Sequence, residues 1–134
     1  MNGSIIFFIE KRIPEADLLA LFNEELLAGV ESLEYPNETA AVFLQHLDYD
    51  VDFQQSAMLS WAAQGVAIDD IGLAQSLAAR FSTKIILEPQ NMSLPDGYDW
   101  CLVTEERQLY AVAVAELDDG LALRPDAPSV PLNS

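Results

Sequence analysis

Between Thr39 and Trp61 the apolar side chains recur at every second residue. Phe43, Leu47, Tyr49, Val51, Phe53, Ala57, Leu59 and Trp61 hold odd positions, while His46, Asp48, Asp50 and Asp52 hold even ones. A period of two separates the sets onto opposite faces of an extended chain, which a helix cannot do. The stretch is longer than an ordinary strand, so a hairpin or bulge must interrupt it. The pattern allows the turn near Asp48–Asp50 or near Gln54–Ser56. Residues 39–47 taken alone also fit a helix, because short apolar runs are ambiguous.

The flanking segments set the fold class. Residues 4–9 are β-branched and aromatic and read as a buried strand. "IPEADLLALFNEELLAG" reads as a helix with Pro14 at its first position, Glu15 and Asp17 in its first turn, and Gly29 as C-cap. Leu18, Leu19, Phe22 and Leu26 recur along it at helical spacing. "ESLEYPNE" reads as a polar connection. "AIDDIGLAQSLAARFST" reads as a second helix capped by Asp69, with Ile71, Ala74, Leu77, Ala78 and Phe81 on one face. "KIILE" is a short buried strand and "LPDG" a turn. "YDWCLV" and "QLYAVAVAEL" read as antiparallel strands, and "LDDGL" as a hairpin leading into "LALR". This order predicts a single α+β domain over residues 1–124. Its sheet is mostly antiparallel, with two helices packed on one face. The tail 125–134, with prolines at 125, 128 and 131, is expected to be loose.

Charge narrows the function classes. The chain of 134 residues has 22 Asp and Glu against 6 Lys and Arg, a formal net charge of −16. Self-repulsion of this size opposes compaction, so the charge has a use or the core is strong. Direct nucleic-acid binding is not expected, because phosphate contacts need clustered Lys and Arg. Anionic membranes are disfavoured for the same reason. A basic protein is the natural complement. The only cysteine is Cys101, which excludes an intramolecular disulfide and suits a reducing cytoplasm. The apolar run Ile5–Ile9 is too short for a signal-peptide core.

The aspartates of "HLDYDVDF" invite a metal reading, and the spacing answers it. A calcium loop that opens D-x-D-x-D needs glycine at its sixth position and a bidentate glutamate at its twelfth. Phe53 and Leu59 stand there instead. One His and one Cys cannot build the usual zinc set. A His46–Cys101 dyad would need a thiol that the predicted strand buries. No nucleophile elbow, phosphate loop or zinc-protease motif is present. The chain therefore reads as non-enzymatic, with no catalytic residue, no metal and no cofactor. Asp48, Tyr49, Asp50 and Asp52 remain as a solvated strand face or a recognition face. Glu24, Glu25, Glu31 and Glu34 form a second acidic group around the end of the first helix. Carboxylates there oppose the helix dipole, so stability alone does not favour them. Both groups are candidate partner-binding residues.

The opening "SIIFFIEKRIPEADLLALF" and the series "LAQSLAARFSTKIILEP" to "YDWCLVTEERQLYAVAVAEL" resemble segments of bacterial immunity proteins from contact-dependent and polymorphic toxin systems. The resemblance implies a cytoplasmic protein that binds and neutralises a cognate toxin domain, a nuclease being one such toxin. The alternatives are an acidic secretion chaperone and a phage-type DNA mimic that inhibits a defence enzyme. An acidic inhibitor fits the cleft of a basic nuclease through charge steering.

Overall fold

A computed structural model describes residues 3–26, 30–32, 42–49, 53–61, 69–89, 94–95, 97–117, 120–123 and 129–132. The β-branched and aromatic start forms β1 (Gly3–Ile9), and α1 (Glu15–Leu26) follows. Pro14 stands one position earlier than expected, as the N-cap. Its carbonyl accepts from Leu18 N at 3.1 Å, which requires no N–H of its own. Gly29, expected as the C-cap, lies outside the described residues. β2 (Val30–Ser32), β3 (Val42–Asp48), β4 (Gln55–Trp61), α2 (Asp70–Phe81) and β5 (Ile85–Leu87) come next. The second half holds β6 (Trp100–Val103), β7 (Leu109–Val112), β8 (Val114–Leu117), β9 (Gly120–Leu123) and β10 (Val130–Pro131).

The architecture is α+β. One 8-stranded sheet has the order β10-β7-β6-β5-β1-β4-β3-β2, and β8 pairs with β9 separately. Every neighbouring pair is antiparallel except β2 with β3. Leu18, Leu21 and Phe22 of α1 share one core with Leu73, Ala74, Leu77 and Ala78 of α2. That core also holds Ile5, Phe7, Ile9, Leu44, Leu59, Ile85 and Val103 of the sheet, so both helices cover the same face. Asp69 caps α2 by accepting from Gly72 N at 3.1 Å, and Ser82 ends the helix in the left-handed region at φ 49. "LPDG" turns as expected: Tyr98 N donates to Pro95 O at 3.1 Å, with Gly97 at φ 88.

Four expectations change. The polar connection after α1 begins with β2, an edge strand parallel to β3. "QLYAVAVAEL" is not one strand: it leaves the main sheet at Ala113, and β8 and β9 form a hairpin closed by Leu117 opposite Gly120. Val114 and Leu123 of that hairpin pack over the opposite sheet face, against Phe53, Ile86, Leu102 and Val112. The tail expected to be loose carries β10, whose Val130 and Pro131 pair with Ala111 and Tyr110 of β7. Leu132 N donates to Leu109 O at 2.9 Å, which extends that pairing.

The fourth change concerns the long period-two stretch. Residues 42–48 are a strand, and its turn lies between the two places the pattern allowed. Tyr49 N donates to Gln54 O at 2.8 Å, which closes a hairpin around residues 50–53. That loop holds an even number of residues, so facing residues have opposite parity. Even-numbered Leu44 faces odd-numbered Leu59, and His46 faces Ala57. An odd-position pattern therefore cannot point to one face in both strands. The inward residues of β3 are Val42 and Leu44, and Leu47 points to the other side with 52% of its surface exposed.

Candidate partner-binding surface

Asp48 ends β3 as an exposed residue beside the hairpin. Asp50 and Asp52 lie outside the described residues. The strand expected to hold three aspartates on one wet face thus ends at the first of them. Tyr49 is half-buried and has structural work on the outer face. Its ring stands 6.3 Å from that of Phe8, and its hydroxyl lies 2.9 Å from Ser56 Oγ. The hairpin is held from below. Arg12 donates to Tyr49 O at 2.6 Å. Buried Gln55 donates to Ile13 O at 2.9 Å and accepts from Ile13 N at 3.0 Å. Two hydrogen bonds from one buried amide fix the β1–α1 connection against the start of β4.

Of the second acidic group, the side chains of Glu24 and Glu25 are described. Glu24 Oε2 lies 2.8 Å from Arg80 Nη2, in the last turn of α2. This exposed pair explains the placement of Glu24, at a worth of roughly 0.2–1 kcal/mol. Glu25 is exposed and lines a shallow polar groove with Asp69, Gln75, Ser76 and Arg107. Glu31 falls within β2, its side chain outside the described part, and Glu34 lies outside altogether. Glu15 and Glu24 stand about 13 Å apart along the helix axis at 1.5 Å per residue. Glu15 pairs with His46 of β3, so among the described residues Asp48 and the helix-end acids Glu24 and Glu25 lie toward opposite ends of α1.

The outer sheet face shows a feature that the sequence reading missed. Leu47 faces Ser56, which faces Phe8. In the next row Gln45 faces Met58, which faces Ile6. Ser60 and Ser4 pair in the row beyond. Gln45 and Ser4 are exposed, and Ile6, Met58 and Ser60 are half-buried. Among the described residues Leu47 is the large apolar side chain left exposed. A groove of about 330 Å³ runs along this face, lined by Ser4, Ile5, Ile6, Met58, Glu88 and Pro89. The signal for this surface was the parity of the hairpin loop, which the aspartate pattern concealed.

No family model, curated protein or solved structure matches the chain. The site therefore rests on its own chemistry. Cys101 is buried and lies on β6, whereas His46 lies on β3. β5, β1 and β4 separate them. Four strand steps of roughly 4.8 Å set them about 19 Å apart, so they form no dyad. Burial pushes the Cys101 thiol up to about 11. A backbone hydrogen bond from Tyr110 opposes that rise and the Asp70 charge adds to it. A thiol so shifted is a poor nucleophile at neutral pH.

His46 also stands elsewhere than expected. It is on the helix side of β3, the side that Asp48 shares by alternation, with Nε2 at 2.9 Å from Glu15 Oε2. Its Nδ1 is buried and has no hydrogen-bond partner. The pair ties α1's first turn to β3. Among the described residues no three His, Cys, Asp or Glu side chains gather as a metal-binding group. None of the described helices is long and apolar enough to cross a membrane.

Proposed function

We propose that this chain is a cytoplasmic inhibitor of the immunity type, which binds a basic cognate toxin domain and blocks it without catalysing a reaction. The observation that carries this reading is the net charge of −16. Six Lys and Arg against 22 Asp and Glu leave this charge uncompensated. Lys11 Nζ donates to Phe81 O at 3.4 Å, Arg12 to Tyr49 O, and Arg80 to Glu24. Asp17, Glu25, Asp48, Asp69, Glu88, Asp99, Glu105 and Glu106 are exposed acids on helices, strands and turns.

Such a field accelerates encounter with a cationic cleft and disfavours nucleic acid and other acidic surfaces. For a nuclease toxin, carboxylates would occupy the positions that phosphates take in its cleft. Affinity would come from a small apolar centre, and charge would set rate and specificity. Co-expression with the toxin domain encoded beside the gene tests the reading. Protection of the cells and a purified complex whose association slows with salt are expected. A toxin that stays lethal and forms no complex overturns it.

A further inference from the structure

We propose that the docking face for this partner is the open part of the outer sheet surface, centred on Leu47 and Met58. Its occupant is a cationic protein surface that presents an apolar anchor. The inference rests on the inhibitor reading and adds to it the place and chemistry of contact.

The face has the composition of an interface centre. Met58 and Ile6 face each other across β4 and β1, Leu47 stands one row away on β3, and Gln45, Ser60 and Ser4 flank them. Apolar contact at the middle and polar groups around it are what a protein interface combines. The residues stand on three hydrogen-bonded strands, so little ordering entropy is lost on binding.

Charge identifies the occupant. Glu88 is exposed in the wall of the groove on this face, whereas Asp48, one residue past Leu47, alternates to the helix side of β3 with His46. No Lys or Arg lines that groove among the described residues. A cationic rim on the partner would pair with Glu88 while its anchor covers Leu47. A second copy of this chain would instead bring acid against acid, each protomer carrying −16, because a two-fold contact joins like to like. An anionic bilayer is repelled in the same way.

The test uses the full chain and the toxin domain encoded beside its gene. Leu47→Lys puts a cation at the centre of the face, and Met58→Gln removes apolar contact without adding charge. Glu106→Gln changes the net charge by the same amount as Leu47→Lys, in the β6–β7 turn away from the face. Leu47→Lys should weaken binding at least about 30-fold, as at an interface hot spot, with an unchanged unfolding midpoint. Met58→Gln should weaken it about tenfold, and Glu106→Gln by less than about threefold, through the on-rate. Equal binding by Leu47→Lys and the unsubstituted chain overturns the docking face and leaves the inhibitor reading standing. An unsubstituted chain that neither binds nor protects overturns both. Sedimentation should show a monomer at low and high salt. A high-salt dimer that Leu47→Lys abolishes would make a second copy the occupant and overturn the proposal.

Discussion

Strands β5, β6 and β7 turn Ile86, Leu102 and Val112 toward the outer face, where Phe53, Val114 and Leu123 pack against them. Strands β3, β4 and β1 turn Leu47, Met58 and Ile6 toward the same face, where Leu47 is half in solvent. Among the described residues, one sheet thus has a part that its own chain covers and a part that it leaves open. Phe8 stands at the boundary, with Trp100 edge-on at 5.9 Å on one side and Tyr49 at 6.3 Å on the other. The comparison separates two uses of apolar surface. Residues under the β8–β9 hairpin contribute to folding whether or not a partner is present. Leu47 keeps about half of its surface in solvent, where it is free for association.

Substitutions measure that division. Ile86→Ala, on the covered side and fully buried, should destabilise the chain by about 2–5 kcal/mol in urea unfolding. A loss below 1 kcal/mol would mean that the hairpin covers nothing of weight. Gln55→Ala should cost about 1–3 kcal/mol for each Ile13 backbone group left buried without a partner. It should also loosen the hairpin, read as faster amide exchange at Tyr49.

Cys101 tests the helix-covered core beneath the sheet. Its folded value of about 11 lies above the ordinary 9.0. Between those values the unfolded chain loses its thiol proton first and binds fewer protons than the native state. Stability is therefore unaffected by this group below pH 9 and falls as pH rises from 9 toward 11. Cys101→Ala should flatten that fall in unfolding curves taken across the same window. Thiol reagents at pH 8 should label the native protein only after unfolding. Glu24→Ala, which breaks an exposed pair with Arg80, should change stability by about 0.2–1 kcal/mol. Leu47→Ser should stay within about 0.5 kcal/mol of the unsubstituted chain. A larger loss would place Leu47 among the folding contacts and erase the difference between the two parts of the face.

Much of the architecture was legible because local pattern and tertiary role agree. Asp69 caps α2 where its side chain predicts a cap, and Leu77 and Ala78 face the core as their spacing requires. Residues 85–87 form a buried strand between polar ends. The reading failed where a pairing partner, rather than the local pattern, decides the outcome. Val30–Ser32 becomes a strand because β3 lies beside it, and Val130–Pro131 because β7 offers an edge. The candidate site suffered most. Alternation alone suggested odd positions inward throughout residues 43–61, and only the length of the turn decides whether parity survives it. That error hid Leu47 and placed His46 on a wet face, whereas it pairs with Glu15 under α1. The aspartates drew notice by number, yet only Asp48 falls within the described strand.

Hydroxyl-radical footprinting of the chain, free and bound to the proposed toxin partner, tests the division of the outer face most directly. Leu47, Met58 and Ile6 should lose reactivity in the complex, while Trp100 and Tyr110 on the covered side keep theirs. Unchanged labelling of Leu47 and Met58 in a saturated complex would contradict the account.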